Sequence, residues 1–146
     1  MREILFRGKA IIDEDILNIY GLKYFNVVKS GEFIYGSIIT NNSRPFIVGS
    51  VVEATDEYIS LEQWVPVDPK TVGQYTGMED EKLNRIFEGD VLDSEEFSNT
   101  VVSYNEHDAC FIGGDTPFSE IDPDDDEIWK VIGNIHENQE LLEANK

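Results

Sequence analysis

The residues of this chain whose types and spacing could do chemistry are mostly carboxylates. Glu88-Gly89-Asp90 holds two of them around a glycine, a spacing that could gather them on a divalent metal or divide them between acid and base. The same three residues also make a turn entering a strand at Asp90-Val91-Leu92, with Gly89 supplying a backbone conformation that other residues resist. We favour the turn. A denser cluster runs from Glu120 to Glu127, with six acids in eight residues. A calcium loop of the EF-hand kind needs ligands at fixed intervals, a turn glycine and a closing glutamate. Asp122-Pro123-Asp124-Asp125-Asp126-Glu127 has neither that spacing nor the glycine. A solvated loop is the expectation, with weak cation binding and imitation of a phosphate backbone as alternatives.

The histidines His107 and His136 fall in no HxxxH or HxE pattern, and Cys110 is the single cysteine. One cysteine and one histidine fall short of the four ligands of a structural zinc site. A Cys–His nucleophilic pair also needs a third group to orient the base. His107 therefore reads as a turn residue and Cys110 as a strand residue. No phosphate-binding glycine loop, GxSxG or HExxH occurs. No catalytic residue, metal ligand or cofactor site is assigned, and the chain is expected not to be an enzyme. The alternative is a metal-dependent enzyme using Glu88 and Asp90.

The elements that must position these residues read as short strands separated by turns. Ile4 to Arg7 starts one. Glu32 to Thr40 is apolar, aromatic and β-branched, with Gly36 inside it, where a glycine marks a bulge or a close backbone approach. After the turn-rich Asn41 to Pro45 comes Phe46-Ile47-Val48, so residues 33 to 48 form a hairpin. Tyr58 to Val65 reads as one further strand, and the apolar run at 33 to 40 as a candidate sheet edge. Pro66 and Pro69 confine the next segment to an edge or a linker. Strands at 90–92, 100–104, 109–112 and 129–134 come next, with Asn105 to Asp108 as a turn between two of them. Helix signals are limited to Asp15 to Tyr20 and to Asn138 to Ala144, with Asn138 as N-cap. Asp93 to Asn99 and Glu120 to Glu127 read as low in order. Trp64 and Trp129 are expected in the core or at an interface.

This pattern is mainly β with minor α, and 16 aromatics among 146 residues are enough to build a core. The boundary is expected where the prolines sit, giving a β-rich region at 1–65 and a second domain at 66–146. Thirty acids against eleven bases leave a net charge of −19. Duplex nucleic acid is bound mainly through lysines and arginines that neutralise phosphates, and eleven scattered bases supply no such footprint. An anionic membrane surface is disfavoured for the same reason, and no apolar stretch approaches the ~20 residues of a membrane span. With no signal peptide at the N-terminus and no intrachain disulfide, a cytoplasmic location is expected.

Val72 to Asp90 reads VGQYTGMEDEKLNRIFEGD. It resembles the signature of the YopX family in its start, Gln74-Tyr75-Thr76-Gly77-Met78, and its end, Ile86-Phe87-Glu88-Gly89-Asp90. Val131-Ile132-Gly133-Asn134-Ile135-His136-Glu137-Asn138, with Glu140-Leu141-Leu142, is similar to the family's closing motif. Met1 to Ile4, Phe6 to Lys9 and Phe33 to Gly36 match its opening. The family usually places Asn-Gly in the polar turn, where a tight hairpin needs positive φ. This chain has Lys82-Leu83 there, so a wider turn or another type is expected. An insertion at about 13–30 is a second departure.

The resemblance implies a phage or prophage origin, a host-cell cytoplasmic location and a small SH3-like β-barrel at 66–146 with a short C-terminal helix. It transfers no catalytic residue and no cofactor. Tyr75, Thr76, Gly77, Glu88, Gly89, Asp90, Gly133 and Asn134 are motif positions with expected structural roles; the Tyr75 ring is expected in the core, with ligand contact as the alternative. The function expected from charge and pattern is a protein-binding accessory module for a basic phage or host partner. Self-assembly into homo-oligomers through strand edges is the alternative.

Overall fold

The computed structural model describes residues 2–12, 30–94, 98–118 and 129–143. The expected helix at 15–20, the insertion apart from Ser30, the acidic run at 120–127, residues 95–97 and Ala144 lie outside them. Within them the chain is mainly β with minor α, as expected. It forms two compact units, Ile4–Gly73 and a second made of Met1–Glu3 with Gln74–Lys146. Residues 66–73 thus belong to the N-terminal unit.

In the N-terminal unit, β1 (Phe6–Lys9), β2 (Phe33–Asn41), β3 (Arg44–Val48) and β6 (Trp64–Pro66) lie in the order β6-β3-β2-β1. Between β3 and β6 the chain makes β4 (Val51–Ala54) and β5 (Ile59–Leu61), a separate two-stranded sheet. The β2–β3 hairpin pairs Asn41 with Arg44. Its turn residues Asn42 and Ser43 both take positive φ, 51° and 65°, which suits the right-handed strand twist. Gly36 is where backbones approach: a Cβ there would collide with the Val48 carbonyl oxygen. Ile34, Ile47, Val65, Val67 and Ala10 form the core of this unit, and Trp64 stacks on Phe46 at 5.1 Å.

Two expectations change here. The run at 33–40 is not a sheet edge, because Phe33 to Gly36 pair with β1 and Ser37 to Asn41 with β3. The single strand expected over Tyr58 to Val65 breaks at Glu62-Gln63 into β5 and β6. Pro66 does sit on the last strand of this order, where its carbonyl accepts from Ile11 N–H but its ring offers no N–H in return.

The C-terminal unit contains β7 (Gly73–Glu79) from its second residue on, paired with β8 (Arg85–Phe87). A five-stranded antiparallel sheet follows, built from β9 (Asp90–Asp93), β10 (Thr100–Asn105), β11 (Cys110–Gly113), β12 (Thr116–Pro117) and β13 (Lys130–Asn134). Its order is β12-β11-β10-β9-β13. Ile86, Leu92, Val102, Phe118 and Trp129 are packed beneath it. The closed SH3-like barrel is not what these pairings draw among the described residues. The outer strand β12 has two residues, one of them Pro117, and proline offers no N–H to extend a ladder. The short terminal helix expected there is α1 (Glu140–Glu143), up to the last described residue. Asn138 does not cap it through its side chain: its Oδ1 accepts from Asn134 N–H at 3.1 Å, while its backbone carbonyl accepts from Leu141.

Candidate functional site

Gln74 to Met78 builds a bulge. Tyr75 faces Phe87 and Glu79 faces Arg85, so three residues of β7 oppose Ile86 alone. The extra length is absorbed at Gly77, whose φ of 89° is strained for any side chain. The Thr76 hydroxyl then bridges the interrupted ladder. It donates to the Ile86 carbonyl at 2.8 Å and accepts from Met78 N–H at 3.2 Å. Tyr75 is buried, its ring 5.7 Å from that of Phe87 with the Arg85 guanidinium 5.5 Å from its centroid. Burial and then the Glu79 carboxylate raise its phenol above the ordinary tyrosine value, with Glu3 adding to the rise and Arg85 opposing it.

Phe87 to Asp90 is the expected turn. Gly89 takes a φ of 88°. Asp90 is 2% exposed, and its Oδ2 accepts from Phe87 N–H at 2.8 Å. Glu88 reaches the other way: its Oε1 accepts from Gln74 N–H at 3.0 Å, and its own N–H donates to the Gln74 carbonyl. The two carboxylates of the motif therefore brace backbone on opposite sides of the turn. Among the described residues no three His, Cys, Asp or Glu side chains come together as a metal site.

The closing motif meets the same turn. Asn134 pairs with Asp90 in the β13–β9 ladder, Ile135 N–H donates to the Gly89 carbonyl, and Gly89 N–H donates to Val102. The His136 ring lies beside Gly89, its Nε2 3.2 Å from where a Cβ would stand. Asn134 is buried and organises the following loop: its Oδ1 accepts from His136 and Glu137 N–H, both at 3.0 Å. Gly133 gives the room, since a Cβ there would stand 2.6 Å from Asn138 Oδ1. All eight motif positions thus fall in one unit, and the three segments join around Gly89.

Sequence reasoning missed Asp80. This carboxylate is 5% exposed and opens the β7–β8 turn. Its Oδ1 accepts from Lys82 and Asn84 N–H at 2.9 and 2.8 Å. Its Oδ2 accepts from Val131 N–H and the Asn84 side-chain amide at 3.1 and 3.2 Å. Burial pushes the carboxyl up. The hydrogen bonds from Asn84, Val131 and Lys82 outweigh it and hold the group below the ordinary aspartate value. An aspartate two residues before a polar turn position is the local signal that would have found it. The turn spans residues 80–84, wider than a two-residue hairpin, with Leu83 at a φ of 64°.

A cleft of about 720 Å³ opens beside this cluster. Gln74, Thr76 and Glu88 line it from the motif, with Tyr104, Cys110 and Phe111 from the β10–β11 hairpin. The Tyr104 and Phe111 rings meet edge-on at 5.2 Å. Cys110 is half-buried on β11, and His107 is exposed in the turn before it, where Asn105 Oδ1 accepts from its N–H. Glu88, Glu106 and Arg2 line the cleft together with these aromatic residues, so charged and apolar side chains share its wall.

Among the described residues no helix is long and apolar enough to cross a membrane. No curated protein matches the chain. A family model described as YopX protein matches residues 37–143. The opening segments at 1–9 and 33–36 that also resemble the family precede that match. The bulge, the turn at Gly89 and the Gly133-Asn134 loop all fall inside it, and with well over half of its length matched the chain belongs to the YopX family.

Proposed function

We propose that the protein works by binding another protein that presents a basic surface. The observation that carries this reading is the net charge of −19. Such a charge steers cationic partners into encounter and repels anionic ones. The motif carboxylates support it from the other side, since Glu88 and Asp90 each accept a backbone N–H. They act as braces, and the acids on the surface remain for association. An accessory role in a phage or prophage, exercised in the host cytoplasm, fits the family resemblance.

The test is retention from a host lysate on the immobilised protein. A basic protein should be held at low salt and released as added salt shortens the screening length. A column that retains nothing above an inert acidic control would overturn the proposal.

A further inference from the structure

Beyond β3 and β6 the two strands leave their sheet together. The ladder continues past Val48 and Trp64, with Gly49 N–H donating to the Gln63 carbonyl and Glu62 N–H to Ser50. It then becomes the β4–β5 ribbon, which no third strand joins among the described residues. The tip is closed by Thr55, whose hydroxyl accepts from Glu57 and Tyr58 N–H. A two-stranded ribbon is marginal in water without something to pack on. Every residue of β4 is nevertheless exposed.

The register sorts the side chains of this arm. Residues directly opposite share a face, and faces alternate along a strand. Val51 opposite Leu61 and Ala54 opposite Ile59 stand on one face, all apolar. Glu53 opposite Ser60 stands on the other, next to the bulged Val52. On the apolar face Val51 and Ile59 are 58% and 65% exposed, with Tyr58 52% exposed beside the tip, and exposed apolar groups so close together mark contact surfaces. The same arm carries Glu53, Asp56 and Glu57, with Glu62 directly after it, and no lysine or arginine occurs between Arg44 and Lys70. A second copy docked arm to arm would set these carboxylates against themselves.

We infer that the arm from Val51 to Leu61 is the docking element, and that it takes a protein surface whose apolar strip is rimmed by lysines and arginines. The inference rests on the proposed binding of a basic partner and names the surface and the partner's chemistry. The probes are three synthetic peptides: alternating valine and lysine, alternating serine and lysine, and alternating valine and glutamate. Binding is measured by anisotropy at low salt. The intact protein should bind the valine–lysine peptide at least about tenfold more tightly than either other peptide. The double variant Val51→Ser/Ile59→Ser should lose that advantage while keeping its thermal midpoint, because both side chains lie outside the cores.

If both lysine peptides bind alike and the variant changes nothing, the arm is not the docking element while the basic-partner reading survives. If neither lysine peptide binds, both readings fall. Equal binding of the valine–glutamate peptide would overturn the charge argument. A concentration-dependent dimer in sedimentation that the double variant abolishes would make a second copy the occupant and overturn the inference.

Discussion

Replacing Asp80 by asparagine separates a structural carboxylate from the general acidity of the chain. Asp80 accepts four N–H groups, two on each oxygen. Asparagine keeps one oxygen and turns the other into a donor, so whichever pair keeps its acceptor, the other pair faces an NH₂ group. If the oxygen stays with Lys82 and Asn84 N–H, then Val131 N–H loses its partner and β13 loses its tie to the turn. Hydrogen bonds to a charged group are worth about 1.5–3 kcal/mol each. Two are lost, and water recovers part of that at the exposed turn, so the variant should be destabilised by about 2–4 kcal/mol. Relief of general charge repulsion acts in the opposite direction, so a destabilisation of this size cannot come from net charge. Urea unfolding followed by tryptophan fluorescence in a Trp64→Phe background reports on Trp129, whose carbonyl accepts from Glu81 in the same turn. The pH dependence is a second check. The folded pKa lies below the unfolded value of 3.8, so the stabilisation is present above that value and lost as pH falls through the folded pKa. The gap between wild type and Asp80→Asn should therefore narrow on acidification below about pH 4. A gap under about 0.5 kcal/mol at neutral pH, within the range of ordinary surface substitutions, or one unchanged down to pH 2, would refute the account.

Three further outcomes follow from the same unit. Leu83 is 76% exposed at a φ of 64°, so Leu83→Gly removes strain with little burial lost and should stabilise by about 0.5–1 kcal/mol in urea titration. Gly133→Ala places a methyl 2.6 Å from Asn138 Oδ1 and 2.9 Å from Leu141 Cδ1; because that oxygen is already held by Asn134 N–H, a loss of about 1–3 kcal/mol is expected by thermal melt. The raised Tyr75 phenol stabilises the fold fully below the ordinary value of 10.0, and that contribution is lost as pH rises through the folded pKa. In stability measured from pH 9 to 11, the alkaline decline should be shallower in Tyr75→Phe than in wild type.

What the sequence made legible was local. Asn42-Ser43 between two apolar runs announced a hairpin, and Gly89 between two acids announced a turn. What stayed hidden depends on partners far along the chain. Asp80 is one of 30 acids; its bonds to Lys82 and Asn84 were open to local reasoning, but the bond from Val131, 51 residues later, was not. Thr76 was expected only as a structural motif position; its bridge across the ladder exists because β7 is longer than its partner strand. The Tyr58 to Val65 run read as one strand because alternation records which face is apolar, not where a sheet ends. The open five-stranded sheet was hidden similarly, since strand spacing does not say whether the outer strands meet.

The motif and the docking arm divide the protein's work in a way that spacing explains. Gly89 donates to Val102 and accepts from Ile135, while its neighbour Glu88 exchanges bonds with Gln74. Joining points that far apart in the chain carries a loop-closure cost, and each closure must be held by contacts that tolerate little change. Gly77 and Gly89 sit at positive φ, and Asp90 and Asn134 are buried polar groups with fixed partners. A motif made of such positions specifies a fold and is silent on what the fold meets. The arm differs on each count: its contacts are between near neighbours, every residue of β4 is exposed, and none of its residues belongs to either core. Under the proposed docking, partner choice would fall to the Val51–Leu61 ribbon, whose substitution leaves the bonds around Gly89 untouched, while stability rests on those bonds.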